Sequence, residues 1–232
     1  MFKKPKLRDR KGLIHMTYLL VFINAGIFLL QLILPTFTNL FALYPVGSES
    51  YWVFQYFTAT FLHANFMHLL MNMLGLYFFG VFLETKFGRI NFLTLYIVSG
   101  LLANILWHVF YTPLMPVLGA SGSIFGIITV LALLIPNQKI LVFFVIPMKL
   151  WWGFALIMLY TVYKVINPAD NVGHFIHLMG ALVGAVYYIL FLRKGTHLSN
   201  YNYLKNSRYP KNTSSSRRTS SSSIRKRYKS DR

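Results

Sequence analysis

Six apolar runs, near residues 14–34, 66–84, 91–111, 121–135, 149–165 and 172–192, recur along this chain of 232 residues and limit what it can become. A bilayer core about 30 Å thick takes roughly 20 apolar residues in a helix. Backbone polar groups in lipid must be satisfied within the segment, so such runs read as membrane helices. Hydrophobic residues make up 56% of the chain and charged residues 12%, a balance foreign to one or two soluble domains. The expected fold is an all-α membrane protein with six transmembrane helices, the fourth of them short. A basic arm over residues 1–13 precedes the six-span region 14–192, and a basic, Ser-rich tail over 193–232, read as disordered, follows it.

The net charge of +18 suggests nucleic acid until it is mapped. Lys3, Lys4, Lys6, Arg8, Arg10 and Lys11 crowd the first arm, and a larger group lies between Arg193 and Arg232. Loops 35–65 and 112–120 hold neither Lys nor Arg. With both termini cytoplasmic, every basic residue but Lys164 falls in the arm, the tail, the inside loops 85–90 and 136–148, or at Lys149 beside the fifth span, as the positive-inside rule requires. The charge therefore sets orientation, and no nucleic-acid partner is expected. The location expected is a plasma membrane of bacterial type. There is no cysteine, which removes disulfides and thiolate metal sites. The first run follows a basic stretch but lacks a small-residue cleavage site, so it reads as a retained helix.

The fourth run opens directly from Gly119-Ala120-Ser121-Gly122. About 15 residues of helix reach only about 22 Å, too little to cross the hydrocarbon. Ser121 is thus expected below the outer surface in a wet recess, at the positive end of a helix dipole. The second run carries His68 and Asn72, four apart on one helix face. The sixth carries His177, Gly180 and Gly184 on one narrow face that permits close helix contact. A serine and a histidine on neighbouring helices suit acyl transfer, with the imidazole taking the hydroxyl proton. Asn72, His68 and the Ser121 backbone N–H are the candidate oxyanion donors. No Asp or Glu lies in the outer halves of the spans, so the base would work as one half of a dyad, with Phe125 placed to stack on it. His174 competes with His177 as base, and the glycine spacing favours His177. Glu84, with Lys86 and Arg89, reads as a structural tie, and His108 as a snorkelling residue on a scaffold helix.

The G-x-S-G of Gly119–Gly122, the H-x-x-x-N of His68 and Asn72, and the H-x-x-G-x-x-x-G of His177, Gly180 and Gly184 resemble the rhomboid intramembrane serine proteases, over roughly residues 14–192. That resemblance implies a rhomboid-like bundle, Ser121 as nucleophile, His177 as general base, and His68 and Asn72 in the oxyanion hole. It implies transmembrane protein substrates and no cofactor or metal. His63 resembles a structural histidine of the first outer loop, and Glu84 a residue anchoring the second span. Many members carry Trp-Arg where this chain has Phe54-Gln55, so that loop's anchoring does not carry over. Some place Tyr where Phe125 stands. The alternatives are an inactive rhomboid-like protein that binds membrane helices, a metalloenzyme using His63, His68, His174 and His177, and a transporter, for which no inverted repeat is visible.

Overall fold

In a computed structural model, the described residues are 15–110, 115–142, 145–167 and 173–193. They belong to one compact unit, bounded at Lys194. The basic arm 1–13 and the tail expected to be disordered lie outside the described residues, apart from Arg193, as does most of the loop between the fifth and sixth runs.

The chain is a membrane helical bundle. Helix α1 (Met16–Ile33) buries Thr17, Leu20, Asn24 and Phe28, a single stripe at helical spacing. Leu19, Phe22, Leu29, Leu32 and Ile33 are exposed, as a lipid-facing side should be. A short α2 (Pro35–Phe41) begins the long loop, which also contains α3 (Gln55–Thr58) and a 3₁₀ turn at Ala59–Phe61. The second long helix is α4 (Phe66–Gly75) continued by α5 (Val81–Phe87), with a π-helical turn at Leu76–Gly80 between them. It stops at Gly88, whose φ of 82° is one that glycine adopts and other side chains rarely do. Then come α6 (Arg89–Phe110), α7 (Ser121–Leu134), α8 (Leu150–Ile166) and α9 (His174–Tyr187), the last ending in a π turn at Tyr188–Leu192.

Among the described residues four helices are long and apolar enough to cross a membrane: Met16–Ile33, Phe66–Phe87, Arg89–Phe110 and His174–Leu192. The two other apolar helices, α7 and α8, are shorter. The expected helix positions are close to those observed. The all-α expectation needs one correction: strands β1 (Lys139–Val142) and β2 (Ile146–Lys149) pair antiparallel between α7 and α8. Two β-favouring stretches, Lys-Ile-Leu-Val and Ile-Pro-Met-Lys, separated by three residues, carry that signal.

Helix α7 is the centre of the bundle. From Gly122 to Ala132 only Ile128 is less than fully buried, and Ile124, Ile127, Val130 and Leu131 join a core with Leu76, Phe92, Leu95 and Tyr96. Glycines set its distance to α9. A Cβ on Gly180 would overlap the Gly122 carbonyl, and one on Gly184 would overlap that of Gly126. The two backbones therefore touch directly, the geometry that small residues permit between membrane helices.

One carboxylate fastens the start of the bundle. Glu84, 3% exposed, accepts hydrogen bonds from the backbone N–H groups of Met16 and Thr17, both at 2.9 Å, and from the Thr17 hydroxyl at 2.8 Å. Arg89 Nε lies 3.6 Å and His15 Nδ1 3.5 Å from it. The first-turn N–H groups of a helix have no partner within it, and an anion there is favoured. Glu84 thus ties α5 to the beginning of α1.

Candidate active site

Ser121 is the first residue of α7, and the chain approaching it is held on two sides. Leu43 and Val117 exchange backbone hydrogen bonds of 3.0 and 2.9 Å, and the Gly119 N–H donates to the Ala59 carbonyl at 2.8 Å. Gly119 has φ 132°, outside the range most side chains accept. A Cβ there would also lie 2.8 Å from the His68 ring. Glycine is needed twice over: for the turn, and so that the imidazole can reach the backbone beside Ser121.

His177 sits in the first turn of α9, with its Nε2 2.8 Å from Ser121 Oγ. Phe125, one turn along α7, lies flat on the His177 ring, centroids 4.4 Å apart and planes 5° from parallel. His174 is edge-on to the other imidazole at 5.7 Å. The Ser121 hydroxyl is met by His177. With the proton on Nδ1, His177 Nε2 accepts the serine O–H, the ground-state arrangement a base requires.

His68 stands on α4, whose first turn is capped by the Asn65 side chain accepting from the His68 N–H at 2.9 Å, a standard polar cap. The Ala64 N–H donates to His68 Nδ1 at 3.3 Å. That leaves the ring proton on Nε2, beside Gly119. Asn72, buried, donates one amide hydrogen to the His68 carbonyl at 2.9 Å. An amide has two such hydrogens, so one is left for another acceptor. The structure therefore brings Ser121, His177 and Phe125 into contact and sets His68 against the turn before Ser121. Asn72 follows one turn further on the same helix.

His63 is placed differently. It is 1% exposed, edge-on to His68 with ring centroids 5.2 Å apart. Burial, and secondarily the neighbouring His68, push its pKa down to about 3, so it stays neutral. Its backbone is clasped by Gln31 of α1: the His63 N–H donates to Gln31 Oε1 at 2.9 Å, and Gln31 Nε2 donates to the His63 carbonyl at 3.1 Å. Among the described residues no group of three or more His, Cys, Asp or Glu could hold a metal ion.

Two features of the loop 35–65 were not read from the sequence. Gln55, fully buried, makes four hydrogen bonds: its Oε1 accepts from the N–H groups of Tyr44 and Trp52, and its Nε2 donates to the carbonyls of Leu40 and Ser50. This chain's own residue thus anchors the loop where the Trp-Arg pair is missing. The signal was an amide in an otherwise apolar stretch. His108 is also not a snorkelling side chain. Its Nδ1 is 2.7 Å from the Tyr56 hydroxyl, Trp107 stacks on it at 4.7 Å, and Tyr51 and Tyr56 meet it edge-on. Burial and the Tyr51 hydroxyl raise the Tyr56 pKa to about 12. The loop is thereby pinned to the C-terminal end of α6.

Residues 50–194 match the family described as the rhomboid domain. The chain is 35% identical over 136 residues to rhomboid protein 1, mitochondrial, of Saccharomyces cerevisiae, covering 56% of this chain and 39% of that protein. It is 33% identical over 177 residues to rhomboid-like protein 11, chloroplastic, of Arabidopsis thaliana, covering 72% and 62%. A Bacillus subtilis protein whose name describes a candidate rhomboid protease is 40% identical over 83 residues, covering 35% and 40%. In each case the chain spans less than two thirds of the relative's length.

Proposed function

Because this chain belongs to the rhomboid family, and is an integral membrane protein, we propose that it is an intramembrane serine endopeptidase that cleaves transmembrane proteins near the outer face of the bilayer. The observation that carries this reading is the 2.8 Å separation of His177 Nε2 and Ser121 Oγ. As a substrate carbonyl carbon approaches, His177 Nε2 takes the hydroxyl proton while Oγ forms the new bond, giving a tetrahedral oxyanion. The His68 Nε2–H, the free amide hydrogen of Asn72 and the Ser121 backbone N–H are the donors that receive its charge. His177 then passes the proton to the departing amine, leaving an acyl group on Ser121. Water, deprotonated by the same imidazole, adds to the acyl carbonyl; the bond to Oγ then breaks, His177 returns the proton to Ser121, and the second product leaves as a carboxylic acid. Phe125 keeps the ring in register, the role a carboxylate fills in a triad.

Six spans with both termini cytoplasmic are the accompanying topology, supported by the basic residues flanking the bundle and by their absence from loops 35–65 and 112–120. At 14 residues, α7 is about 21 Å long, which supports a serine sunk beneath the outer surface. The substrate reaches it by displacement of α8, where only Leu150 and Thr161 are buried. A helical substrate hides its carbonyls in its own hydrogen bonds, so unwinding at small or helix-breaking residues is part of the reaction.

The test is cleavage of a tagged transmembrane reporter by the protein in vesicles. Ser121→Ala and His177→Ala should each abolish cleavage while leaving the fold intact. Unchanged product from Ser121→Ala would end the proposal. A wild-type chain that retains the reporter without ever cutting it would favour a helix-binding, inactive protein instead.

A further inference from the structure

The hairpin between α7 and α8 has two unlike faces. Ile140 and Met148 are paired on one of them, both half-buried, with Ile140 against the core. On the other, Lys139 stands opposite Lys149 and Leu141 opposite Pro147, and all four are exposed. Like charges set directly across a strand pair weaken it. Neither lysine has an ion-pair partner among the described residues, where Glu84 is committed to α1 and Arg89. The hairpin's only two charges thus stand opposite each other on an exposed face, a repulsion that a bound anion would relieve.

The hairpin's depth identifies that anion's source. The Leu150 N–H donates to the Gln138 carbonyl at 2.7 Å and the Trp151 N–H to that of Pro136 at 3.1 Å, fastening the hairpin base to the first turn of α8. Trp151 and Trp152 follow Lys149 directly and are both exposed, and tryptophans at a membrane helix terminus sit at headgroup level. Beyond the lysines the exposed side chains turn apolar: Leu141, on the same face, is 62% exposed, and Val145, in the turn, 76%. In water that surface would be costly. Against acyl chains it is not.

We propose that Lys139 and Lys149 jointly bind the phosphate of an anionic phospholipid, and that Leu141 and Val145 lie against its acyl chains. The hairpin is then a lipid-binding element at the cytoplasmic end of α8. This requires only that the protein resides in a membrane, and stands or falls apart from the protease reading.

The chain contains no cysteine, so a single Leu141→Cys carrying a nitroxide reports on this face alone. The full-length protein is reconstituted in phosphatidylcholine vesicles containing increasing fractions of phosphatidylglycerol. The label should be reached by oxygen rather than by a water-soluble nickel chelate, and should lose mobility in a saturable way as phosphatidylglycerol rises. Removing one lysine, as Lys139→Gln or Lys149→Gln, should weaken the apparent lipid affinity about fivefold. The double Lys→Arg variant should keep it and shows that the labelled chain folds. The proposal is overturned if the label faces water, or if the double Lys→Gln variant responds like the parent, the basic arm and tail then accounting for the effect. Inorganic phosphate reproducing the response in pure phosphatidylcholine would also overturn it.

Discussion

Phe125 and His177 lie ring on ring, 4.4 Å between centroids and 5° from parallel, so the imidazole facing Ser121 is oriented by dispersion and packing where a Ser-His-Asp triad uses a carboxylate. An aromatic pair of this kind contributes about 0.5–1.5 kcal/mol beyond area burial. Phe125→Ala should therefore slow reporter cleavage by roughly threefold to tenfold through kcat, with Phe125→Tyr near wild type. A Phe125→Ala enzyme with unchanged kcat would mean that the ring is held by other contacts.

The glycine seam between α7 and α9 fixes how far His177 stands from Ser121. Gly180→Ala should push the helices apart, at about 1–3 kcal/mol of overpacking, and should reduce cleavage far more than it reduces folding. Gly26, where a Cβ would meet nothing within 4 Å, supplies the control: Gly26→Ala should leave both unchanged. Thermal unfolding and reporter cleavage on the same preparations separate the two effects.

Neutral His63 makes stability depend on pH. Its folded pKa, near 3, lies below the usual value of about 6.5, so between these values the unfolded chain binds the extra proton. Stability from this residue is complete above about pH 6.5 and falls as the pH drops toward 3, by at most about 1.4 kcal/mol per pH unit. Unfolding in detergent at a series of pH values should show that slope, and His63→Gln should flatten it.

Gln55→Ala removes four hydrogen bonds from a buried position and leaves the carbonyls of Leu40 and Ser50 without that donor. A buried group left unsatisfied costs about 1–3 kcal/mol. The expected result is faster proteolysis within loop 35–65 and a lower Tm. Cleavage of the reporter should also fall, because the Leu43–Val117 bridge and the Ala59 carbonyl connect that loop to the backbone before Ser121.

Glu84→Ala should destabilise the bundle by roughly 2–4 kcal/mol, given that a hydrogen bond to a charged group contributes about 1.5–3 kcal/mol. Glu84→Gln, which keeps an acceptor, should cost less. Neither change should alter the pH profile of cleavage, since Glu84 touches the start of α1 and not Ser121 or His177.

The helices were legible because lipid makes the physics simple: apolar length and positive flanks give positions, and small-residue spacing gives the faces that touch. The seam at Gly122, Gly126, Gly180 and Gly184 could be read from spacing alone, and with it the reach from α9 to Ser121. What could not be read depends on single polar atoms meeting across long separations. Nothing local shows that Gln55 collects four backbone partners, that His108 meets Tyr56, or that Glu84 serves the start of α1. The π turns at Leu76–Gly80 and Tyr188–Leu192 are likewise set by packing, as at Gly80, where a Cβ would crowd Thr17 and Phe92. The hairpin was hidden because two four-residue strands look like an ordinary inside loop when only apolar length is measured.

The tie between Glu84 and α1 also has a consequence in time. The N–H groups of Met16 and Thr17 leave the ribosome long before their acceptor, which follows 67 residues after Thr17. Until then the first helix enters the bilayer with its leading turn bare, leaning on water or headgroups at the surface. Its settling is therefore a late event of biogenesis, postponed until the second long helix has been threaded.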